Sequence, residues 1–218
     1  MLAEPGVPPE ETLEDLKTIK SLHFNTIVLY PSVSRWEGEP PGTTAFGAID
    51  QIMDWCAELG LRVILELQGQ VMQDADAPEC FGYAQSPSYR ENGLHDPLKE
   101  ELLRKYLLEV ATHFRGHPAL LAYDLFNEIG NESRSPGTIR AFVEFLRNQY
   151  GSIGALNSAW ATYFAEFEAI TKIPPDFRVW TWSSVLAERD WLRFRSKDFA
   201  AKIAEWRAIM KEADPHRP

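Results

Sequence analysis

The sequence predicts an α/β protein with parallel strands, and three observations support this fold class. Three short apolar runs, rich in β-branched and bulky residues, have the composition of buried strands. Amphipathic helical patterns separate these runs. The third run ends in polar residues, as strands of parallel sheets often do where they meet a ligand. The predicted strands are residues 26–30, 62–67 and the stretch beginning at residue 120.

The helices are predicted from apolar spacing and capping residues. Gly60 follows one apolar helical pattern and supplies a left-handed C-cap, and Asp96–Pro97 supplies an N-cap followed by proline at the first helical position. The predicted helices are 10–22, 45–59, 96–114, 136–150, 153–164 and 183–213. Strands that alternate with helices form βαβ units with right-handed crossovers. Residues 1–218 are therefore predicted to form a single domain, whose second half is helical and covers the sheet.

Composition excludes several classes of function. With a net charge of −10, the chain lacks the excess of lysine and arginine that nucleic-acid binding needs. No apolar run is long enough to span a membrane, and residues 1–5 lack a signal-peptide pattern, so a cytoplasmic location is predicted. Cys56 and Cys80 lie far apart without nearby cysteine or histidine ligands, so no disulfide, metal site or cofactor is expected. Cys56 falls on the apolar face of a predicted helix and is expected in the core.

The stretch 120–128 carries the candidate site. Its apolar residues predict a buried strand, and Asn127 and Glu128 stand at its carboxyl end. Because side chains alternate along a strand, Asp124 is expected to share a face with Glu128. The carboxyl ends of parallel strands are where α/β proteins place catalytic and binding groups. The alternative is structural: Asn127 caps the next helix, and Glu128 interacts with that helix dipole.

Four stretches resemble the glycoside hydrolases of clan A, the (β/α)₈ enzymes that use two glutamates, and most closely the family 42 β-galactosidases. They are 24–28 with 34–37, 86–90 (SPSYR), 117–128 (HPALLAYDLFNE), and 145–147 with 150–160 (YGSIGALNSAW). Together they cover most of residues 10–218. The resemblance implies the amino-terminal part of a (β/α)₈ TIM barrel, with an added helical segment after the barrel's fourth strand.

The resemblance also implies a retaining hydrolysis of β-galactosides, for which two carboxyl groups stand about 5 Å apart. Glu128 would be the general acid/base, and Asn127 would hydrogen-bond the sugar's 2-hydroxyl. Trp36 would stack on a sugar ring, and Arg35 and Asp124 would also contact the substrate. No cofactor is implied, and the partner would be a carbohydrate.

The remaining tryptophans divide into two groups. Trp160, Trp180 and Trp182 are weaker candidates for stacking on sugar. Trp191 and Trp206 fall on the apolar face of a predicted helix, so they are expected in the core.

The sequence departs from the family in ways that bear on activity. The family's nucleophile is a glutamate on the seventh strand, which these residues do not reach, so the chain alone is expected to be inactive. Glu66 is the other acid at a predicted strand end, and it is a weak candidate for a catalytic partner. The metal-binding cysteine cluster of some relatives is missing, and so is the basic residue of the family's second strand, where Val28 or Leu29 stands.

Two alternatives stay open. One is a carbohydrate-binding remnant without catalysis; the other is an α/β enzyme that uses Glu128 and Asp124 in metal-assisted chemistry. The unpaired sheet edges of an incomplete barrel also favour self-association, so a homo-oligomer is a further expectation.

Overall fold

A computed structural model of the chain describes residues 9–29, 46–67, 95, 97–125, 135–171 and 182–218. The chain divides into two compact units. The first unit consists of residues 1–85, 101–129 and 203–218, and the second of residues 86–100 and 130–202. That residues 1–218 form one single domain stays a prediction.

The first unit contains a parallel sheet of three strands in the order β1-β2-β3, which are Thr26–Leu29, Arg62–Glu66 and Leu120–Asp124. Three helices alternate with these strands: α1 (Pro9–Ser21), α2 (Gly47–Leu59) and α3 (Pro97–Phe114), whose first turn belongs to the second unit. The order α1-β1-α2-β2-α3-β3 confirms the predicted α/β fold with parallel strands.

The register of the sheet determines which side chains share a face. Ile27 pairs with Val63, and Leu29 pairs with Leu65, and all four are buried on one face. On the opposite face Val28, which pairs with Ile64, is 50% exposed. A parallel sheet inside an α/β protein is normally covered on both faces. On β1, the face that carries Val28 is therefore covered less than the face that carries Ile27 and Leu29.

An irregularity interrupts the pairing of β2 with β3. Val63 pairs with Leu120, but its neighbour Ile64 pairs with Ala122, so Leu121 is an extra residue on β3. Such a bulge shifts every later residue of the strand by one position. As a result Asp124, at the end of β3, pairs with Glu66 at the end of β2.

The packing of α2 follows its sequence pattern. Its apolar face is fully buried; the residues are Ala48, Ile49, Ile52, Met53 and Cys56. Gly60 ends the helix with a φ of +66°, and its N–H donates to Ala57 O at 3.1 Å. This left-handed C-cap was predicted from the sequence, and it lets the chain turn directly into β2.

Cys56 is buried in this core, as the sequence predicted, and burial raises its thiol pKa to about 12. At pH 8 we therefore expect only about one thiol in ten thousand to be ionised. In a Cys80→Ala variant, the native chain should not react with Ellman's reagent within minutes, and one thiol should react after denaturation in guanidinium. Rapid reaction of the native variant would show that the α2 core opens readily.

The second unit contains α4 (Pro136–Tyr150), α5 (Ile153–Trp160), a 3₁₀ turn at Phe167–Ala169 and the first 21 residues of α6 (Trp182–Ala213). Serine side chains cap the first two helices. Ser135 accepts from Thr138 N at 3.1 Å, and Ser152 accepts from Ala155 N at 3.2 Å. The core of the unit consists of Phe142, Val143, Leu146, Leu156, Trp160, Phe167, Ile170, Ala187, Trp191 and Phe194.

Helix α5 is four residues shorter than the sequence predicted. Ala161 adopts a left-handed conformation with φ +52°, which ends the helix. The side chain of Asn157 then organises the following loop: its Oδ1 accepts from Phe164 N at 3.0 Å and from Thr162 Oγ1 at 2.9 Å, and its Nδ2 donates to Phe164 O at 2.8 Å. An asparagine inside the helix therefore stabilises a turn rather than a further helical turn.

The last residues form a turn against β3. Tyr123 N donates to Pro218 O at 3.1 Å, and Arg217 Nη1 donates to Leu120 O at 2.9 Å. The Tyr123 hydroxyl donates to Asp214 Oδ2 at 3.2 Å. Residues 214–218 thus lie along β3 on the side away from β2. In the ranges described, no helix has the length and apolar content needed to cross a membrane.

Candidate active site

The candidate site begins at the carboxyl ends of β2 and β3. Glu66 and Asp124 are paired in register there, so their side chains leave the same face of the sheet. Glu66 is 2% exposed, whereas Asp124 is exposed. Leu67 N donates to Asp124 O at 2.8 Å, so the pairing continues to the last residue of β3. Of these two side chains, Asp124 is the one whose carboxylate oxygens are open to hydroxyl donors from outside the chain.

Tyr123, immediately before Asp124, leaves the opposite face. Burial raises the pKa of its phenol, and the nearby Asp214 carboxylate raises that pKa further through its charge and its hydrogen bond. The neutral hydroxyl therefore donates to Asp214 at any ordinary pH. Tyr123 thus fixes the edge of β3 to the 214–218 turn, on the face opposite to Glu66 and Asp124.

Four of the five predicted site residues lie outside the described part of the chain. Arg35 and Trp36 fall between residues 29 and 46, and Asn127 and Glu128 fall between residues 125 and 135. Asp124 is described, and it is the last residue of β3, three positions before Asn127. The predicted roles of these residues stay predictions.

Trp160 was a weaker candidate for sugar stacking, and that hypothesis is wrong. Its side chain is 3% exposed, its ring lies 6.3 Å from the ring of Phe142, and its indole N–H donates to Asp190 Oδ2 at 3.0 Å. A tryptophan in that position has no face available to a sugar.

The other tryptophans have separate outcomes. Trp191 and Trp206 are 8% and 6% exposed, which confirms their predicted place in the core. Trp180 and the side chain of Trp182 lie outside what the structure describes, so their stacking on sugar stays a prediction.

The sequence identified Glu66 as an acid at a strand end and as a weak candidate for a catalytic partner, and that candidacy stays a prediction. Its position beside Asp124 depends on the bulge at Leu121, for which the local sequence gives no signal. Within the ranges that the structure describes, no group of three or more His, Cys, Asp or Glu side chains is arranged to hold a metal ion.

Comparison with known proteins gives a consistent result. The model of glycoside hydrolase family 42, described as β-galactosidase, matches residues 76–218. β-Galactosidase Pbg of Clostridium perfringens is 28% identical over 222 residues, which covers 94% of this chain and 32% of that protein. β-Galactosidase BbgII of Bifidobacterium bifidum is 34% identical over 174 residues, covering 72% of this chain and 24% of that protein. The chain therefore spans about a third of the length of its curated relatives or less.

Solved structures share the fold. Gan42B, a β-galactosidase of the same family, superimposes over 100% of this chain and 35% of its own, with a TM-score of 0.77 at 22% identity. A cold-adapted β-galactosidase from a Rahnella species gives a TM-score of 0.76 at 21% identity, over 99% of this chain and 35% of its own. These similarities confirm the prediction of a partial (β/α)₈ TIM barrel.

Proposed function

Because this chain belongs to glycoside hydrolase family 42, the β-galactosidases, we propose that it is the amino-terminal part of the catalytic barrel of a retaining glycosidase that acts on β-galactosides. The family match and the names of the relatives support a glycosidase. The retaining mechanism and the preference for β-galactosides are carried over from the resemblance. A cytoplasmic location stays a prediction.

Glu128 is the proposed general acid/base. In the first step its carboxylic acid gives a proton to the glycosidic oxygen while a second carboxylate attacks the anomeric carbon and the bond to the leaving group breaks. In the second step the Glu128 carboxylate takes a proton from water, whose oxygen attacks the same carbon and releases the enzyme carboxylate. The resemblance implies that this second carboxylate is a glutamate on the barrel's seventh strand.

Asn127 and Asp124 are proposed to contact the sugar. Asn127 would hydrogen-bond the 2-hydroxyl, an interaction that strengthens in the oxocarbenium-like transition state. Asp124 would accept a hydrogen bond from another hydroxyl, which its exposure at the end of β3 permits. Arg35 and Trp36 are proposed at the same site, but they lie outside the family match of 76–218 and rest on the resemblance of 34–37 alone.

One observation carries the proposal. The family match includes Asp124, Asn127 and Glu128, and the parallel register brings β2 and β3 to a common end at Glu66 and Asp124. In a (β/α)₈ barrel the catalytic groups come from the carboxyl ends of the strands. Asn127 and Glu128 follow that end by three and four residues.

Hydrolysis of chromogenic aryl β-galactosides tests the proposal. We expect no turnover above background by the 218-residue chain, and turnover by the same chain extended through its natural downstream reading frame. The reason is that a lone acid/base cannot form the glycosyl-enzyme intermediate. Each preparation should be checked for folding by circular dichroism, so that a lack of turnover in a folded chain is distinguished from a lack of turnover caused by unfolding.

Each other outcome points elsewhere. Activity in the 218-residue chain would mean that a second carboxylate lies within it, and Glu66→Gln and Asp124→Asn would be the first variants to make. Sugar binding without hydrolysis in the extended chain would identify a carbohydrate-binding remnant. Activity abolished by a chelator and restored by a divalent cation would indicate metal-assisted chemistry.

A further inference from the structure

A pocket of about 620 Å³ lies in the second unit. Its described lining comes from the first half of α4, residues 136–144, and from residues 168–171, at the end of the 3₁₀ turn and just after it. This volume falls within the range of roughly 300–1,000 Å³ that is typical of sites for small molecules. We call this cavity the α4 pocket.

The floor of the α4 pocket is apolar. It includes Ile139 and Val143, one turn apart on α4, and Ile170. Val143 and Ile170 belong to the core of the second unit, and Ile139 packs against that core. The floor is therefore a fixed apolar surface, on which the C–H face of a sugar ring can pack.

Charged side chains line the same pocket: Arg140, Glu144 and Glu168. Arg147, in the next turn of α4, binds both carboxylates. Its Nε donates to Glu144 Oε1 at 3.4 Å, and its Nη2 donates to Glu168 Oε1 at 2.5 Å. The guanidinium carbon of Arg147 lies 5.0 Å from the ring centroid of the buried Phe167. One anchored guanidinium therefore positions both carboxylates.

The charges of this array balance one another. Glu144 and Glu168 are opposed by Arg140 and Arg147, so neither an anion nor a cation meets an excess of opposite charge. The backbone N–H of Glu168 and the Arg147 guanidinium hold the pKa of the Glu168 carboxyl below its usual value, so this group is ionised at pH 7. Hydroxyl groups suit such an array, because each one can donate to a carboxylate and accept from a guanidinium.

We propose that the α4 pocket binds the pyranose ring of a neutral sugar, with a C–H face of the ring on the apolar floor and hydroxyl groups on Glu144, Glu168 and Arg140. The side chains of Glu144 and Glu168 are 64% and 62% exposed, so their carboxylates are open to such a ligand. The choice of a galactoside as the sugar rests on the proposed function, whereas the pocket and its charge balance do not.

Titration of the isotope-labelled 218-residue chain with methyl β-galactoside, followed by nuclear magnetic resonance, tests this inference. We expect the backbone N–H signals of residues 139–144 and 168–171 to shift and to saturate with a Kd of about 1–10 mM, as for a small neutral ligand. Galactobiose should shift the same signals. Absence of shifts at these residues up to about 100 mM sugar overturns the proposal.

Charged sugars test the charge balance. Galacturonate and galactosamine should bind no more tightly than methyl β-galactoside, because the array has no net charge. A preference of at least about tenfold for galacturonate would identify an anion site, and the same preference for galactosamine would identify a cation site. Either preference overturns the proposal of a site for a neutral sugar.

Replacing both carboxylates identifies the groups that bind the sugar. The variant E144A/E168A should bind methyl β-galactoside at least about tenfold more weakly, because hydrogen bonds from its hydroxyl groups to charged acceptors are lost. The matched control is E166A/E188A, which removes two exposed carboxylates of the same unit outside the lining described. It should bind like the natural chain. With both variants folded by circular dichroism, unchanged binding by E144A/E168A or equal loss in the control overturns the proposal.

The variant E128Q distinguishes this inference from the proposed function. Glu128 belongs to the first unit, so we expect the variant to show the same shifts at the α4 pocket as the natural chain. Loss of those shifts in E128Q would mean that the sugar binds beside Glu128, which overturns the α4 pocket as its site. Because the titration needs no turnover, a failure of the extended chain to hydrolyse β-galactosides would contradict the proposed function and leave these shifts unaffected.

Discussion

Replacing Glu128 with Gln in the chain extended through its natural reading frame is expected to lower kcat/KM for unactivated β-galactosides by about 10²–10⁴-fold. The amide has nearly the same shape as the carboxylic acid but has no proton to give to the glycosidic oxygen. A leaving group that is already stable as an anion needs little of this help. The loss should therefore be small for dinitrophenyl β-galactoside and large for phenyl β-galactoside or lactose.

This dependence on the leaving group separates an acid/base from other roles. With the dinitrophenyl substrate, the variant should accumulate the glycosyl-enzyme, because water is no longer activated for the second step. Azide, which needs no general base, should then raise the rate and give a galactosyl azide. The matched control is Glu132→Gln, which removes a carboxylate four residues further along and should leave the rates near those of the natural sequence.

A uniform loss with every leaving group, and no rescue by azide, would contradict the assignment of Glu128 as acid/base. It would instead indicate a residue that only binds the sugar. In that case the rise in KM of the Glu128→Gln variant would be the main effect, because uniform binding changes KM and not kcat.

The order of elements was predictable because periodic patterns decide it. Apolar spacing and capping residues predicted the helices α1, α2 and α3 and the three strands. The predicted bounds of these elements lie within a few residues of the observed ones. The early end of α5 was not found. It depends on three hydrogen bonds from the side chain of Asn157 to Thr162 and Phe164, and a helical pattern does not reveal them. Local side-chain competition with the backbone is the physical reason.

The candidate site was predictable in a different way. Asn127 and Glu128 were identified by resemblance and by their place after a strand, which required no knowledge of register. The pairing of Glu66 with Asp124 required the bulge at Leu121, a property of two strands together. Strand register is set by packing and by neighbouring strands, so a single strand cannot encode it.

Trp160 was wrongly predicted as a candidate for stacking on sugar, because its contacts, like the strand register, involve distant parts of the chain. It packs against Phe142, and its indole N–H donates to Asp190, which lies 30 residues further along the chain. A tryptophan in a short helix looks the same in the sequence whether its partner is a sugar or a buried carboxylate. Only the tertiary contact distinguishes the two environments.

Asp190 is expected to contribute more to the stability of the second unit than any apolar residue of similar size would. Its side chain is fully buried. Oδ2 accepts from the Tyr150 hydroxyl and the Trp160 indole, and Oδ1 accepts from Arg189. Replacement by Ala leaves these donors without their acceptor, so we expect the free energy of unfolding to fall by about 3 kcal/mol at pH 7. The exposed Glu188→Ala variant is the matched control and should change it by less than about 0.5 kcal/mol.

The effect of Asp190→Ala should depend on pH in a definite direction. Burial by itself raises the pKa of the Asp190 carboxyl, but the hydrogen bonds from Tyr150, Trp160 and Arg189 outweigh it and hold the pKa below its usual value. A carboxyl group whose pKa is lower in the folded chain than in the unfolded chain stabilises the fold. This stabilisation is complete at pH values above the unfolded pKa of about 3.9, and it is lost as the pH falls toward the folded pKa. The difference between the natural chain and Asp190→Ala should therefore be largest near pH 7 and shrink below about pH 4. Urea unfolding followed by tryptophan fluorescence measures it directly, since Trp160 and Trp191 both lie in this core. A difference that stayed constant from pH 7 to about pH 3 would mean that the loss comes from packing and not from the ionised carboxylate.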